Sequence, residues 1–272
     1  MPHVLVNGVQ ISYERHGDSG EPLVFVHGYT GDITDWKYQV EEFSPDYRVL
    51  VTDLRGHGRS EAPADRSVYT VEAMAADVEG VAKAASFEKY HLVGHSLGGT
   101  IVQEVALASP GKLYSLTLED TGPLASFPGN VELQQWNAKQ IETAEREGMA
   151  AVVELQRANI SRLSAPIPQE LMDIAHERLA RMKVDGFVGA TLAGPKWRGT
   201  LDRAADITTP TLVIYGELDV APIVIASQWL GQTIPGAKTE VIPGAGHSPQ
   251  MEQPELYNRV LRRHLEANSG RE

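Results

Sequence analysis

The sequence predicts an α/β protein: a mostly parallel, doubly wound sheet interrupted once by a helical insertion. Three observations carry that expectation. Short, nearly continuous apolar runs, "PLVFVHG", "RVLVTDLRG", "YHLVGHS" and "LYSLTLEDT", read as strands covered on both faces. Helical stretches separate them, and such alternation calls for right-handed crossovers. After Gly122-Pro123 the alternation stops, and helix follows helix to about Asp206.

Taken in order, the chain opens with two strands joined at Asn7-Gly8, an Asn-Gly pair between alternating runs being a strong hairpin signal. The crossovers are "TDWKYQVEEF", "TVEAMAADVEGVAKAA" and "LGGTIVQEVALASP", the last ended by Pro110. In the insertion, "ELQQWNAKQIETAERE" and "MAAVVELQRANI" read as helices. In "PQELMDIAHERLARM", Pro168 suits a first turn, and Leu171, Ala175, Leu179 and Met182 form one apolar stripe. "DGFVGATLAG" reads as a shorter helix. After Pro210 the sheet resumes with "TLVIYGELD", a helix near Ile223 to Leu230, the strand in "KTEVIPGAGH" and a last helix from Pro254 to His264. The tail "EANSGRE" is expected to fray. The expected division is a core of residues 1–122 and 206–272 around an insertion of residues 123–205.

Bulk properties narrow the function. The 272 residues are 42% hydrophobic, enough for a sizeable core. With 36 acidic against 24 basic residues the formal net charge is -12, which argues against nucleic acid and anionic membranes as partners. There is no cysteine, so thiolate chemistry and disulfides are excluded. "MPHVLVNGVQISYERHG" lacks the basic start and apolar run of a secretory signal, and no segment approaches the roughly 18 apolar residues of a membrane span. The expectation is a cytoplasmic protein acting on a small molecule; its oligomeric state is not encoded legibly.

In "HLVGHSLGG", Ser96 stands between Gly94 and Gly98, after an apolar run and before a helix. A strand-turn-helix of this kind makes a sharp elbow that lifts the hydroxyl above the sheet edge, with no room beside it for side chains. Serine becomes an effective nucleophile only when a base accepts its proton. His247 sits in a glycine-rich loop, "PGAGHSPQ", after a late strand and before the final helix. Such loops at carboxyl strand ends meet at the ligand crevice. A carboxylate must then fix the histidine's tautomer and stabilise its cation. Asp219 in "GELD" is the candidate; Glu217 on the same turn and Asp120 are rivals, and the order serine, acid, histidine favours Asp219. Oxyanion donors are expected from the backbone N–H groups of Leu97 and Tyr29, with Gly28 allowing close approach.

With these residues assembled, the chain resembles the α/β-hydrolase fold superfamily, in its carboxylesterase, lactonase and cofactor-free haloperoxidase-like branch. The motifs are "VHG" from Val26, "DLRGHGRS" from Asp53, "GHSLGG" from Gly94, "GELD" from Gly216 and "GHSPQMEQP" around His247. They span nearly the whole chain outside the insertion. The resemblance implies that the insertion is a lid over an apolar pocket and that the triad falls on Ser96, Asp219 and His247. Relatives that open epoxides or remove halide carry aspartate at the elbow, whereas Ser96 implies an acyl-enzyme. Relatives that cleave carbon-carbon bonds of ring-fission products commonly carry tryptophan after the base; this chain has Ser248 there.

The expected function is a serine hydrolase of the carboxylesterase type, cleaving an ester or lactone of a small, largely apolar substrate with no cofactor and no metal. A carbon-carbon bond hydrolase of a ring-fission diketone and a ligand receptor of the same fold are the alternatives. Trp136, Phe187 and Trp197 are candidate substrate contacts, with Trp36 and Phe127 as further aromatics whose default is packing. His95 is expected to pack into surrounding structure, and Asp53 and Arg55 to shape their loop by hydrogen bonds. Lys196 and Arg198 are read as a solvated edge.

Overall fold

A computed structural model describes residues 2–124, 131–159 and 167–270. Strands β1 (His3–Val6) and β2 (Val9–His16) form the opening hairpin, with Asn7 at φ 49° and Gly8 at φ 78° in its turn. The alternating part runs β3 (Pro22–Val26), α1 (Lys37–Phe43), β4 (Arg48–Thr52), α2 (Val71–Ala84), β5 (Tyr90–His95), α3 (Leu97–Ala108) and β6 (Leu113–Glu119). Four α-helices follow among the described residues: α4 (Val131–Glu147), α5 (Met149–Arg157), α6 (Gln169–Arg181) and α7 (Val184–Lys196). The chain then returns with β7 (Thr211–Gly216), α8 (Ala221–Thr233), β8 (Lys238–Ile242), α9 (Pro249–Glu252) and α10 (Pro254–Ala267).

The eight strands lie in the order β1-β2-β4-β3-β5-β6-β7-β8. The β1–β2 and β2–β4 pairs are antiparallel; from β4 through β8 every neighbouring pair is parallel. Between β3 and β5 the winding reverses direction, the arrangement that opens a crevice at the carboxyl ends of strands. Register keeps those ends level: Val26 faces Gly94, Gly94 faces Leu118, and Gly216 faces Ile242. The loops after β3, β5, β6, β7 and β8 therefore emerge along one rim.

Both faces of the sheet are covered, which explains the unbroken apolar runs. Val24, Val26, Leu92 and Leu116 pack with α2 and α3 on one face, while Leu23, Phe25, Val93 and Ile214 pack with α1 and α10 on the other. The insertion has a small core of its own, including Met149, Val152, Leu179 and Phe187. Its α7 reaches the main core through glycines: a Cβ on Gly186 would lie 2.3 Å from the Gly56 carbonyl oxygen.

Several elements depart from the sequence expectation. Helix α7 is longer than "DGFVGATLAG", continuing through Lys196. On α6, Leu179 and Met182 are buried but Ala175 is exposed, and His176 and Arg178 are buried instead. The reason is electrostatic: Arg178 turns inward to pair with Asp35 and Asp32, so a cation takes part of the buried face. Helix α10 runs to Ala267, and the Gly270 amide donates to Glu21 at 2.7 Å, so the start of the tail is held. Phe127, Ile160 and residues 271–272 lie outside the described residues. Among the described residues, no helix is long and apolar enough to cross a membrane.

Candidate active site

Ser96 occupies the turn between β5 and α3 with φ 51° and ψ -113°, a left-handed conformation that costs a non-glycine residue about 1–3 kcal/mol. The surrounding backbone enforces it. The Ser96 amide donates to Glu119 O at 2.9 Å, and its carbonyl accepts from Thr121 Oγ1 at 2.8 Å. A Cβ on Gly98 would sit 2.3 Å from Val26 O, and one on Gly94 2.5 Å from Gly98 O, so the spacing G-x-S-x-G is a steric requirement of this elbow.

The structure brings the three residues of the sequence reading into one hydrogen-bonded line. Ser96 Oγ lies 3.0 Å from His247 Nε2, and His247 Nδ1 lies 2.7 Å from Asp219 Oδ2. Asp219 can only accept, so Nδ1 carries the proton and Nε2 is left facing the serine as acceptor. The carboxylate is 2% exposed and the imidazole 36% exposed, toward the crevice. Burial disfavours the His247 cation, but the Asp219 carboxylate outweighs it and holds the histidine above its ordinary pKa of 6.5. Burial likewise opposes the Asp219 anion, and its bond from His247 outweighs that, keeping its pKa below 3.8.

Of the rival acids, Glu217 turns to the surface of its loop and accepts from the Gly244 amide at 3.0 Å. Asp120 is fully buried and accepts from the Gly216 amide at 2.9 Å. The amides of Tyr29 and Leu97 have no protein acceptor among the described residues, and both residues line the same cavity as Ser96. Leu97 opens α3, where a helix leaves its first N–H groups unpaired. The loop bearing Tyr29 is fastened to the insertion by a 2.5 Å bond from its phenol to Thr191 Oγ1 on α7, which in turn donates to Phe187 O.

That cavity has a volume of about 230 Å³, and beyond the elbow it is walled by Leu124, Leu133, Asn137, Ala190, Thr191 and Ile223. None of the three aromatic candidates lines it. Phe187 is fully buried with its ring 5.8 Å from that of Tyr29, so it supports a wall from behind. Trp197 is buried in the main core and donates its indole N–H to Glu104 at 2.5 Å. Trp136 is half-buried on α4, while Leu133 and Asn137 of the same helix face the cavity. Helix docking decides which side of each helix looks inward, and aromatic identity did not foretell it. Trp36 packs on Phe25 in the core, and Arg198 pairs with Asp202. A larger cavity of about 620 Å³ lies between α1, α6 and the hairpin, away from Ser96, and includes Arg178 and Asp53.

Several supporting residues escaped the sequence reading. Glu252 braces the histidine loop by accepting from the amides of Gly246 at 2.8 Å and Ser248 at 2.9 Å. His95, expected only to pack, donates from Nε2 to His247 O at 2.6 Å, and burial lowers its pKa to about 3, keeping it neutral. His27 accepts from the Leu54 amide at 3.0 Å and donates to Gly28 O at 2.7 Å. The only signal for these was position, next to the elbow or one helical turn beyond the base. The loop-shaping expectation for Asp53 holds in detail: it accepts from the amides of Ile33 and Arg59, each at 2.9 Å.

Two groups of side chains bring possible cation ligands within 4.8 Å of one another, His95 with Glu119 and Asp120, and Asp120 with Asp219 and His247. In the second, both imidazole nitrogens are already engaged by Asp219 and Ser96. In the first, burial pushes Glu119 up to about 8 despite the 2.8 Å bond from Tyr257, which makes it a neutral acid and a poor cation ligand near pH 7. This shift has a consequence for stability. An unfolded chain ionises Glu119 above its ordinary 4.5, so the unfolded state binds fewer protons and stability falls as pH rises from 4.5 to about 8. Glu119→Gln should therefore gain stability relative to wild type increasingly over that window, by up to about 1.4 kcal/mol per pH unit, seen as a melting-temperature difference that widens with pH. Melting curves that stay parallel from pH 5 to pH 8 would refute the assignment.

Comparison with known proteins agrees with this architecture. The chain belongs to the alpha/beta hydrolase fold family, whose model matches residues 21–254, and it is a hydrolase. It is similar to the solved structure of a thermophilic esterase from Thermogutta terrifontis, with 29% identity, 98% of both chains covered and a TM-score of 0.87. It is also similar to the structure of Est816, described as an N-acyl homoserine lactone degrading enzyme, with 28% identity, 96% of this chain and 99% of that chain covered and a TM-score of 0.78. A curated relative, the dihydrolipoyllysine-residue acetyltransferase component of the acetoin cleaving system of Cupriavidus necator, is 27% identical over 96% of this chain and 67% of its own length.

Proposed function

We propose that the protein is a serine hydrolase that cleaves a small, uncharged carboxylic ester or lactone through an acyl-enzyme. The observation that carries this reading is the continuous line from Ser96 through His247 to Asp219, opening onto a cavity flanked by two unengaged amides. Ser96 Oγ attacks the carbonyl carbon while His247 Nε2 takes its proton, and Asp219 stabilises the resulting imidazolium. The amides of Tyr29 and Leu97 receive the oxyanion. His247 then protonates the leaving alcohol, and water, deprotonated by the same imidazole, frees the acid. The helices of residues 123–205 act as the lid, supplying the wall formed by Leu133, Asn137 and Ala190. The cavity's volume of about 230 Å³ suits a compact substrate, and no lysine or arginine is among its described lining residues, which favours neutral over anionic substrates. The relatives described as an esterase and as a lactone-degrading enzyme support the bond type.

The test is chemical trapping. Mixing the enzyme with excess p-nitrophenyl acetate and quenching in acid should leave one acetyl group on the peptide that contains Ser96, read by mass spectrometry. Release of p-nitrophenol with no adduct at any quench time would overturn the acyl-enzyme. A matched pair of esters, one neutral and one bearing a terminal carboxylate, should differ by at least about tenfold in kcat/KM in favour of the neutral one.

The pH dependence is a separate check. His247 acts as base only when neutral, and its pKa is raised, so kcat/KM should climb with pH through a midpoint above 6.5. Activity is lost below that midpoint because the imidazolium has no lone pair for the serine proton. A flat rate from pH 5 to pH 8 with chemistry rate-limiting would contradict the role.

A further inference from the structure

We propose that Asp120 is a positioning residue whose carboxyl group stays protonated and donates its Oδ2–H to the Asp219 carboxylate, adding a fourth member behind Ser96, His247 and Asp219. This rests on the reading of those three residues as the reacting line. Asp120 directly follows β6 and is fully buried; its Oδ1 accepts from the Gly216 amide at 2.9 Å, while Oδ2 has no donor facing it among the described residues. Carboxyl oxygens of Asp120 and Asp219 and a nitrogen of His247 lie within 4.8 Å of one another. Two ionised carboxylates are acceptors only, so a bond between them exists only if one carries a proton.

The surroundings decide which one. Asp219 already has two donors, the Val220 amide at 2.7 Å on Oδ1 and His247 Nδ1 at 2.7 Å on Oδ2, and it faces the imidazole that becomes cationic. Asp120 has one donor among the described residues, the Gly216 amide, and it makes no hydrogen bond to His247. The titratable groups around it are Asp219 and His247 from the loops after β7 and β8, His95 from β5, Glu119 at the end of β6 and Tyr257 from α10. Burial, and then the negative charge of Asp219, push the Asp120 carboxyl well above its ordinary range. The proton therefore resides on Asp120. Neutral, it fixes the Asp219 carboxylate plane without adding a second negative charge beside His247. The same fact explains why this buried acid, close to the base, is not itself the base's charge partner.

The experiment has a spectroscopic and a kinetic arm. At pH 7 the infrared spectrum of the wild-type protein should contain a protonated-carboxyl band that moves when aspartate, and not glutamate, carries carbon-13, and Asp120→Asn should remove it. In kinetics, Asp120→Ala should lose about 30- to 100-fold in kcat/KM, as for the loss of a group that orients a functional side chain. Asp120→Asn, whose amide can still donate to Asp219 and accept from Gly216, should recover activity to within about fivefold of wild type. Its acid limb should keep the wild-type midpoint to within about 0.3 pH unit, because one neutral group replaces another. The proposal is overturned if the aspartate band is absent from wild type, if asparagine rescues no better than alanine, or if the Asn variant's midpoint falls by about one unit or more, as removal of a negative charge beside His247 would cause. Should Asp120→Ala fail to fold, the band and the Asn midpoint still decide. Activity that survives loss of Ser96 would sink the hydrolytic reading while leaving the band in place, so the two failures are separable.

Discussion

Ser96→Ala is expected to lower kcat on a short p-nitrophenyl ester by at least about 10⁴-fold, while the Kd of an unreactive ether analogue changes by less than about threefold. Alanine keeps the strained backbone, because the Ser96 amide and carbonyl stay bonded to Glu119 and Thr121. It removes only the oxygen that sits 3.0 Å from His247 Nε2. The unengaged amides of Tyr29 and Leu97 and the cavity walls remain, so binding and residual electrostatic catalysis remain with them. Steady-state kinetics beside calorimetric binding reads both quantities. A variant retaining a tenth or more of wild-type kcat would show that the bond is cleaved without this nucleophile.

The second large effect concerns stability. Asp77→Ala is expected to destabilise the protein by about 3–5 kcal/mol in denaturant unfolding. Arg55 and Asp77 are each 2% exposed and form a two-pronged pair, Nε to Oδ2 at 2.7 Å and Nη2 to Oδ1 at 2.8 Å. Removing the acid strands a guanidinium whose other bond is to the Val68 carbonyl, with no second acid paired to it among the described residues. This pair clamps α2 to the "DLRGHGRS" loop, against which α7 of the insertion rests at Gly56. Replacing both partners, as Arg55→Met with Asp77→Leu, should recover most of the loss, since no uncompensated charge is then buried. Equal destabilisation by the single and double variants would show that the packing of this loop, and not the charge pair, is what α2 requires.

Which parts of this were legible in the chain follows from the range of the forces involved. Ser96, Asp219 and His247 could be found because each sits in a short stretch whose own chemistry announces a turn at a strand end, and the alternation of strand and helix announces a doubly wound parallel sheet. The glycines at 94 and 98 are a local steric demand and read as one. The walls of the cavity were different: Trp197 was a candidate contact and is a core residue bonded to Glu104, while Leu133 and Asn137, which carry no motif, face the cavity. A helix with a weak apolar stripe can present any of several faces, and contacts with distant segments choose among them.

The apolar runs, the turn glycines and the order of serine, acid and histidine determined by themselves a doubly wound sheet with Ser96, Asp219 and His247 at one rim, because those signals act between residues close in the chain. Only the tertiary structure decided that Arg178 is buried, that Glu252 and His95 brace the histidine loop, and that Asp120 lies against Asp219. Charges and carboxyls reach such places when segments far apart in sequence meet, and the cost of burying them depends on partners that no single stretch contains.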